Sequence, residues 1–298
     1  MRGDLDTLLR GCGGAASRQT LVRHGIATHT IDNEVRSGLL VTAATDVYCR
    51  PWDVDDIELR ERATLLSLGR AAALSHLTGL RRWALPVPTC LPVHASVPAT
   101  RAPRSREGLV VHRVARFPPV VRLNGLVTVT AAEAVVTSWP LLPVDEGRRT
   151  AIDATRRRIA SPADLALARD RHPRLRGRTA LRDLVGLLAQ GCESELEIWG
   201  HLGVFDVAGL RHAVRQYPAV VGGRRFRLDL AYRDERVAVE LDGRAFHFGA
   251  EQRERDMLRD ALLASIGWLT LRFSHRRLHT DVDGCRRDTL AALAARRR

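Results

Sequence analysis

Residues 227–242 read Arg227-Leu-Asp-Leu-Ala-Tyr-Arg-Asp-Glu-Arg-Val-Ala-Val-Glu-Leu-Asp242. Two alternating runs flank Asp234-Glu235, a pattern that predicts a β-hairpin with its turn centred there. The register then pairs Leu228 with Leu241, Leu230 with Val239 and Tyr232 with Val237 on one wholly apolar face, as a sheet resting on a core requires. The other face pairs Asp229 with Glu240, Ala231 with Ala238 and Arg227 with Asp242. Directly opposed Cβ atoms stand about 4.5–5.5 Å apart, and like charges placed so destabilise a sheet. Positive charge is therefore expected between Asp229 and Glu240. A divalent ion is the simplest source, and hard oxygen ligands suit magnesium or manganese.

Outward from the hairpin, residues 191–298 read as one unit: helix, strand, strand, helix, strand, helix. Ser194 caps a helix carrying Glu195, Glu197 and Trp199, and Gly222-Gly223-Arg-Arg leads into the hairpin. An amphipathic helix covers roughly 250–266 and ends at Gly267, followed by the apolar strand Trp268–Phe273 and a last helix with the basic tail Arg296–Arg298. A strand, a crossover helix and a strand give a parallel pair with right-handed connection. The expectation is a small mixed sheet flanked by helices.

The chain has 298 residues and a formal net charge of +13, which favours a polyanionic partner, nucleic acid above all. All 47 basic residues are arginine. Codon bias in a GC-rich genome explains arginine over lysine, but it does not fix net charge, so the excess is the informative quantity. No apolar run approaches a membrane span, and Met1-Arg-Gly-Asp-Leu-Asp6 lacks a signal-peptide pattern. Cys12, Cys49, Cys90, Cys192 and Cys285 are odd in number and scattered, fitting neither a disulfide framework nor a zinc site. A cytoplasmic protein is expected.

At the N-terminus, Asp4–Arg10 reads as a helix and Gly13-Gly14 as a break. Ser17 caps a helix through His24, and Thr28 caps a third helix through Arg36. Leu39–Thr42 and Asp46–Arg50 follow as a strand pair. This is the pattern of a winged helix-turn-helix, with Thr28, His29, Thr30, Asn33 and Arg36 facing a DNA groove; a small helical adaptor without DNA contact is the rival reading. Residues 58–80 read as one or two helices closing on Gly79 as a cap, with strands at Val93–Val97 and Leu109–Val114. Thr130 with Glu133 reads as a capping box, and 145–188 as mostly helical. His76 reads as a packed or capping residue.

Ser194-x-x-Glu197, Asp229, Glu240-Leu-Asp-Gly243 and His247 resemble the PD-(D/E)xK restriction-endonuclease-like superfamily, and most nearly its branch related to very-short-patch-repair endonucleases. Glu254-Arg-Asp-x-x-Arg-Asp260 and Gly267-Trp-Leu-x-Leu-Arg-Phe273 look like the same branch. Residues 1–52 separately resemble the winged-helix domain of AbiE-like type IV antitoxins. The fold implied is a multi-domain α/β chain: a winged helix at 1–52, an α+β middle domain at 53–140, a helical connector at 141–190 and an endonuclease-like domain at 191–298.

The resemblance implies that Asp229 and Glu240 hold Mg2+ or Mn2+, that Glu197 is a third acid, and that His247 stands near the scissile phosphate. One departure matters: Asp242 stands where the superfamily has lysine. If acid is this branch's own choice there, Asp242 orients metal water while Arg227, Arg244 or His247 supplies positive charge. Two functions follow as expectations: a metal-dependent DNA endonuclease or nickase, or an antitoxin-like DNA-binding regulator whose nuclease fold is idle. Whether a toxin or a second copy is a further partner stays open.

Overall fold

Helix α1 (Arg2–Gly11) stops where Gly13 and Gly14 take φ of +73° and +88°, conformations that L side chains rarely adopt. The computed structural model describes residues 2–88, 92–101, 103, 105, 107–192, 200, 204–242 and 250–297, with backbone alone at 2–4, 242, 250–253, 256, 275 and 279. It divides into two compact units, Met1–Arg178 and Thr179–Arg298. No helix among the described residues is long and apolar enough to cross a membrane.

In the first unit, the glycine break is followed by strand β1 (Ala15–Ser17), helix α2 (Arg18–Arg23), helix α3 (Thr28–Arg36) and strands β2 (Val41–Ala44) and β3 (Val47–Cys49). Ser17 caps α2 by accepting from Thr20 N at 3.1 Å. Thr28 is no cap: Ala27 holds that position without a side-chain bond, and Thr28 is the first helical residue. The strands form an antiparallel sheet in the order β1-β3-β2. Leu5, Leu9, Leu21, Ile31, Leu40 and Tyr48 fill the core beneath it. Each such burial contributes about 1.5–3 kcal/mol.

Helix α4 (Ile57–Leu68) starts at Asp56, which accepts from Leu59 N at 2.7 Å. Then come β4 (Ala73–Leu74), α5 (His76–Arg82), β5 (Val93–Pro98), β6 (Leu109–Val114), β7 (Val120–Leu123) and β8 (Leu126–Val129), in the sheet order β6-β5-β4-β8-β7. Gly79, expected as a cap, lies buried inside α5. A Cβ there would stand 2.9 Å from the Ala134 Cβ on α6 (Ala131–Ser138), so its absence lets two helices approach. The capping box at Thr130 also fails, because the Glu133 carboxylate is engaged elsewhere. It is buried and accepts from Arg171 Nη2 at 2.7 Å and from the His172 ring. Helices α7 (Val144–Arg156) and α8 (Pro162–Arg171) complete the unit, and a true capping box, Ser161 with Asp164, starts α8.

In the second unit, α9 (Arg178–Ala189) leads to β9 (Val214–Val221), β10 (Arg224–Tyr232) and β11 (Val237–Asp242). Then follow α10 (Ala250–Ser265), β12 (Leu269–Ser274), α11 (His275–Thr280) and α12 (Val282–Arg296). The sheet order is β12-β11-β10-β9. β9, β10 and β11 are antiparallel neighbours, and β11 and β12 run parallel across α10. One face packs Leu230, Val239, Leu241 and Phe273 on Leu278, Cys285 and Leu293 of α11 and α12. The other packs Leu228, Ala231 and Ala238 on Leu263 of α10.

Candidate metal and active site

The hairpin register is the expected one for three pairs: Tyr232 with Val237, Ala231 with Ala238 and Leu230 with Val239. Regular pairing ends there, one step before the acids. Leu228 was expected on the face of Leu230 and Leu241, yet it clusters with Ala231 and Ala238 on the α10 side. Strict alternation forbids positions 228 and 231 sharing a face, so β10 is irregular between them, at Asp229. The neighbouring strand is irregular at the same level. Gln216, which falls between the pairs Leu228–Tyr217 and Leu230–Arg215, has φ of +47°.

The irregularity turns the Asp229 carboxylate into a main-chain acceptor. Its Oδ2 accepts from Leu241 N at 2.9 Å and its Oδ1 from Gln216 Nε2 at 3.3 Å. Glu240, 6 % exposed, lies one residue before that amide. Its Oε1 accepts from Arg259 Nη2 at 2.6 Å, and the same nitrogen donates to the Arg227 carbonyl at 2.9 Å. Arg259 comes from α10, with its guanidinium carbon 6.0 Å from the centre of the Phe226 ring. Arg272 is the residue of β12 in register with Glu240, and it pairs with Asp260 at 2.9 Å. The predicted positive charge beside the acids is thus present as a side chain.

That charge is not enough to keep both acids at ordinary strength. Burial pushes the Glu240 carboxyl up to about 7; Arg259 opposes the rise and the Asp229 charge adds to it. Burial also raises Asp229, against the Leu241 N–H, the Gln216 amide, Arg259 and Arg227. A buried and a half-buried carboxylate with hard oxygens and residual charge repulsion suit a divalent cation. Among the described residues no group of three or more His, Cys, Asp and Glu side chains is arranged to hold an ion.

Glu197 and His247 lie outside the described residues, as do the side chains of Asp242 and Asp256. Asp242 contributes backbone alone, pairing with Ser274 at the end of β11. In the first unit Thr28, His29, Asn33 and Arg36 are exposed on α3, Thr30 is half-buried, and Arg36 Nη1 donates to Asn33 Oδ1 at 2.7 Å. His76 is packed. Its ring is stacked on His112 with centroids 3.4 Å apart and planes 12° from parallel, while His94 Nδ1 and His112 Nε2 are 2.9 Å apart. A metal lies in the plane of each imidazole it ligates, so two stacked rings do not share one ion.

Gln216 and Arg259 are the site residues that sequence reasoning undervalued. Arg259 sits in the stretch Glu254-Arg-Asp-x-x-Arg-Asp260, whose spacing also fits plain surface ion pairs on a helix. Gln216 carried no signal until its strand was known.

Residues 208–293 match the restriction-endonuclease-like family model REase_MTES_1575, which supports a nuclease-like domain in the second unit. The matched span holds β9 to β12, both acids and Arg259. Over a longer stretch, 248 residues, the chain is 28% identical to two uncharacterized proteins of Mycobacterium tuberculosis, MT2308 of strain CDC 1551 / Oshkosh and Rv2248 of strain H37Rv. In each case the alignment covers 80% of this chain and 86% of the relative.

Proposed function

We propose that the C-terminal unit is a divalent-metal-dependent endodeoxyribonuclease that cuts or nicks DNA, brought to its target by a winged helix at 1–52. The observation that carries this reading is the meeting of Asp229 and Glu240 beside the Leu241 amide, within the span that matches a restriction-endonuclease-like family. Asp229 and Glu240 would hold Mg2+ or Mn2+. The chemistry such an ion supplies is polarisation of the scissile phosphate and activation of a water for in-line attack.

The chain's own residues have separate tasks. The Leu241 amide and Gln216 fix the Asp229 carboxylate, and Arg259 fixes that of Glu240. Arginine stays protonated, so Arg259 neutralises charge at Glu240 without serving as a base. Glu197 as a third acid and His247 as a proton-transfer group complete the proposed set, with Asp242 orienting water. On α3, exposed Thr28, His29, Asn33 and Arg36, with Thr30, support a groove-facing role.

A second reading has its own support: Arg259 bonded to Glu240, and Asp242 in place of lysine, suit an antitoxin-like DNA-binding regulator with an idle nuclease fold. Supercoiled plasmid with Mg2+ or Mn2+ separates the two. Cutting or nicking by the wild type that disappears in both Asp229→Ala and Glu240→Ala supports the enzyme. Duplex binding with no metal-dependent cutting, or equal cutting by all three proteins, overturns it.

A further inference from the structure

In the first unit, α2, α4 and the β7–β8 hairpin enclose a cleft of about 630 Å³. Every charged residue lining it is an arginine: Arg23 from α2, Arg62 from α4, Arg70 just after α4 and Arg122 from β7. Among the described residues no carboxylate lines it, although the chain has 34 Asp and Glu. Leu65 and Leu126 add apolar wall. A row of arginines along one helix is ordinarily a solvated face. Four arginines converging from four segments on one concavity are not that pattern, since they repel one another unless an anion is shared.

The side chains are held with donors to spare. Arg23 Nε donates to the Gln19 carbonyl at 3.4 Å, and Arg122 Nη1 donates to the Gly125 carbonyl at 3.2 Å. Arg62 Nη2 stands 3.6 Å from Glu58 Oε1, its Nε is buried without a hydrogen-bond partner among the described residues, and its guanidinium fills the space over Gly13. A Cβ at Gly13 would come within 2.7 Å of that guanidinium carbon, so the bare glycine makes the seat. Each guanidinium has five N–H donors in a planar fork that matches phosphate oxygens.

We propose that this cleft binds the phosphodiester backbone of nucleic acid, at phosphates outside the groove assigned to α3. Contacts of this kind set position and contribute affinity without reading sequence. The inference shares with the preceding section only the premise that DNA is the partner, and it holds whether the second unit cuts or not.

The test is fluorescence anisotropy of labelled duplexes of unrelated sequence with the full chain, in chelator so that nothing is cut, across a salt series. The double variant Arg70→Gln/Arg122→Gln alters two exposed side chains, and its thermal melt establishes that it is folded. Binding should weaken for every duplex, and the slope of log affinity against log salt should flatten by about 2, roughly one per lost phosphate contact. Unchanged affinity and slope in the folded double variant would overturn the proposal. So would a variant that binds duplex normally but has lost binding of a nucleoside triphosphate, which would make the cleft a site for free nucleotides. Arg36→Ala is the comparator. If it alone weakens binding, the cleft fails and the α3 reading survives; if only the cleft variant does, the reverse holds.

Discussion

Arg259 reaches from α10 to place Nη2 2.6 Å from Glu240 Oε1, so a fixed side-chain cation shares the acid pair that a divalent ion would serve. Truncating it separates these roles. In Arg259→Ala, Glu240 stays buried opposite Asp229 without its nearest cation, and the protein should lose about 3 kcal/mol in mildly alkaline buffer, as when a buried pair is broken. Manganese should then raise the melting temperature by more in Arg259→Ala than in the wild type. Equal manganese shifts in thermal melts would mean that no ion binds at the acids.

The Glu240 carboxyl also predicts how stability depends on pH. Its pKa is raised by folding from 4.5 to about 7, so the folded state holds the proton more tightly than the unfolded one. The associated stability is full below about pH 4.5 and is lost as pH rises through 7, a fall on the order of 3 kcal/mol. Without metal, denaturation midpoints of Glu240→Gln should lack that alkaline decline. Metal affinity in the wild type should rise over the same window, with proton release on calorimetry, because the carboxylate binds only when ionised.

Asp229 has a structural duty that isosteric substitution distinguishes from a chemical one. Asp229→Asn keeps an acceptor for the Leu241 amide and should fold with near wild-type stability while losing any plasmid cutting. Asp229→Ala leaves that amide unpaired and should cost about 1–3 kcal/mol in urea denaturation. A fully stable Asp229→Ala would show that the Leu241 bond is dispensable.

Burial pushes His112 down to about 4, and it lowers His94 and His76 as well, with like-charge neighbours adding to the effect. Their folded pKa values are depressed, so the stability they contribute is present above about 6.5 and is lost as pH falls toward 4. The first unit should therefore unfold at mild acidity. His112→Gln should shift that acid midpoint downward, measured by tryptophan fluorescence.

The register of residues 230–232 against 237–239 was legible because period-2 alternation leaves one answer when both strands are buried. The same rule misled at Leu228, since alternation cannot foresee a local irregularity beside Asp229. Gly222-Gly223 was read as an entry to the hairpin, although two adjacent glycines are themselves a hairpin signal. With φ of +56° and +76° they join β9 to β10, and overlooking them hid β9 and Gln216. Glu133 and Gly79 fit local capping patterns well, and tertiary partners claimed both. Local rules cannot see such partners. Residue type alone singles out Asp229 and Glu240 as needing positive charge; a divalent ion was the simplest candidate, and the structure shows Arg259 on Glu240.

The left-handed turn of backbone at Gln216 has an effect beyond holding Asp229. β9 is the outermost strand of its sheet, and a straight outer strand presents a row of unpaired amides and carbonyls on which another chain can build. Here the row is broken twice within three residues, by the Gln216 conformation and by Pro218, which has no N–H to offer. The distortion that seats the acid thus also guards the sheet's rim against templated aggregation.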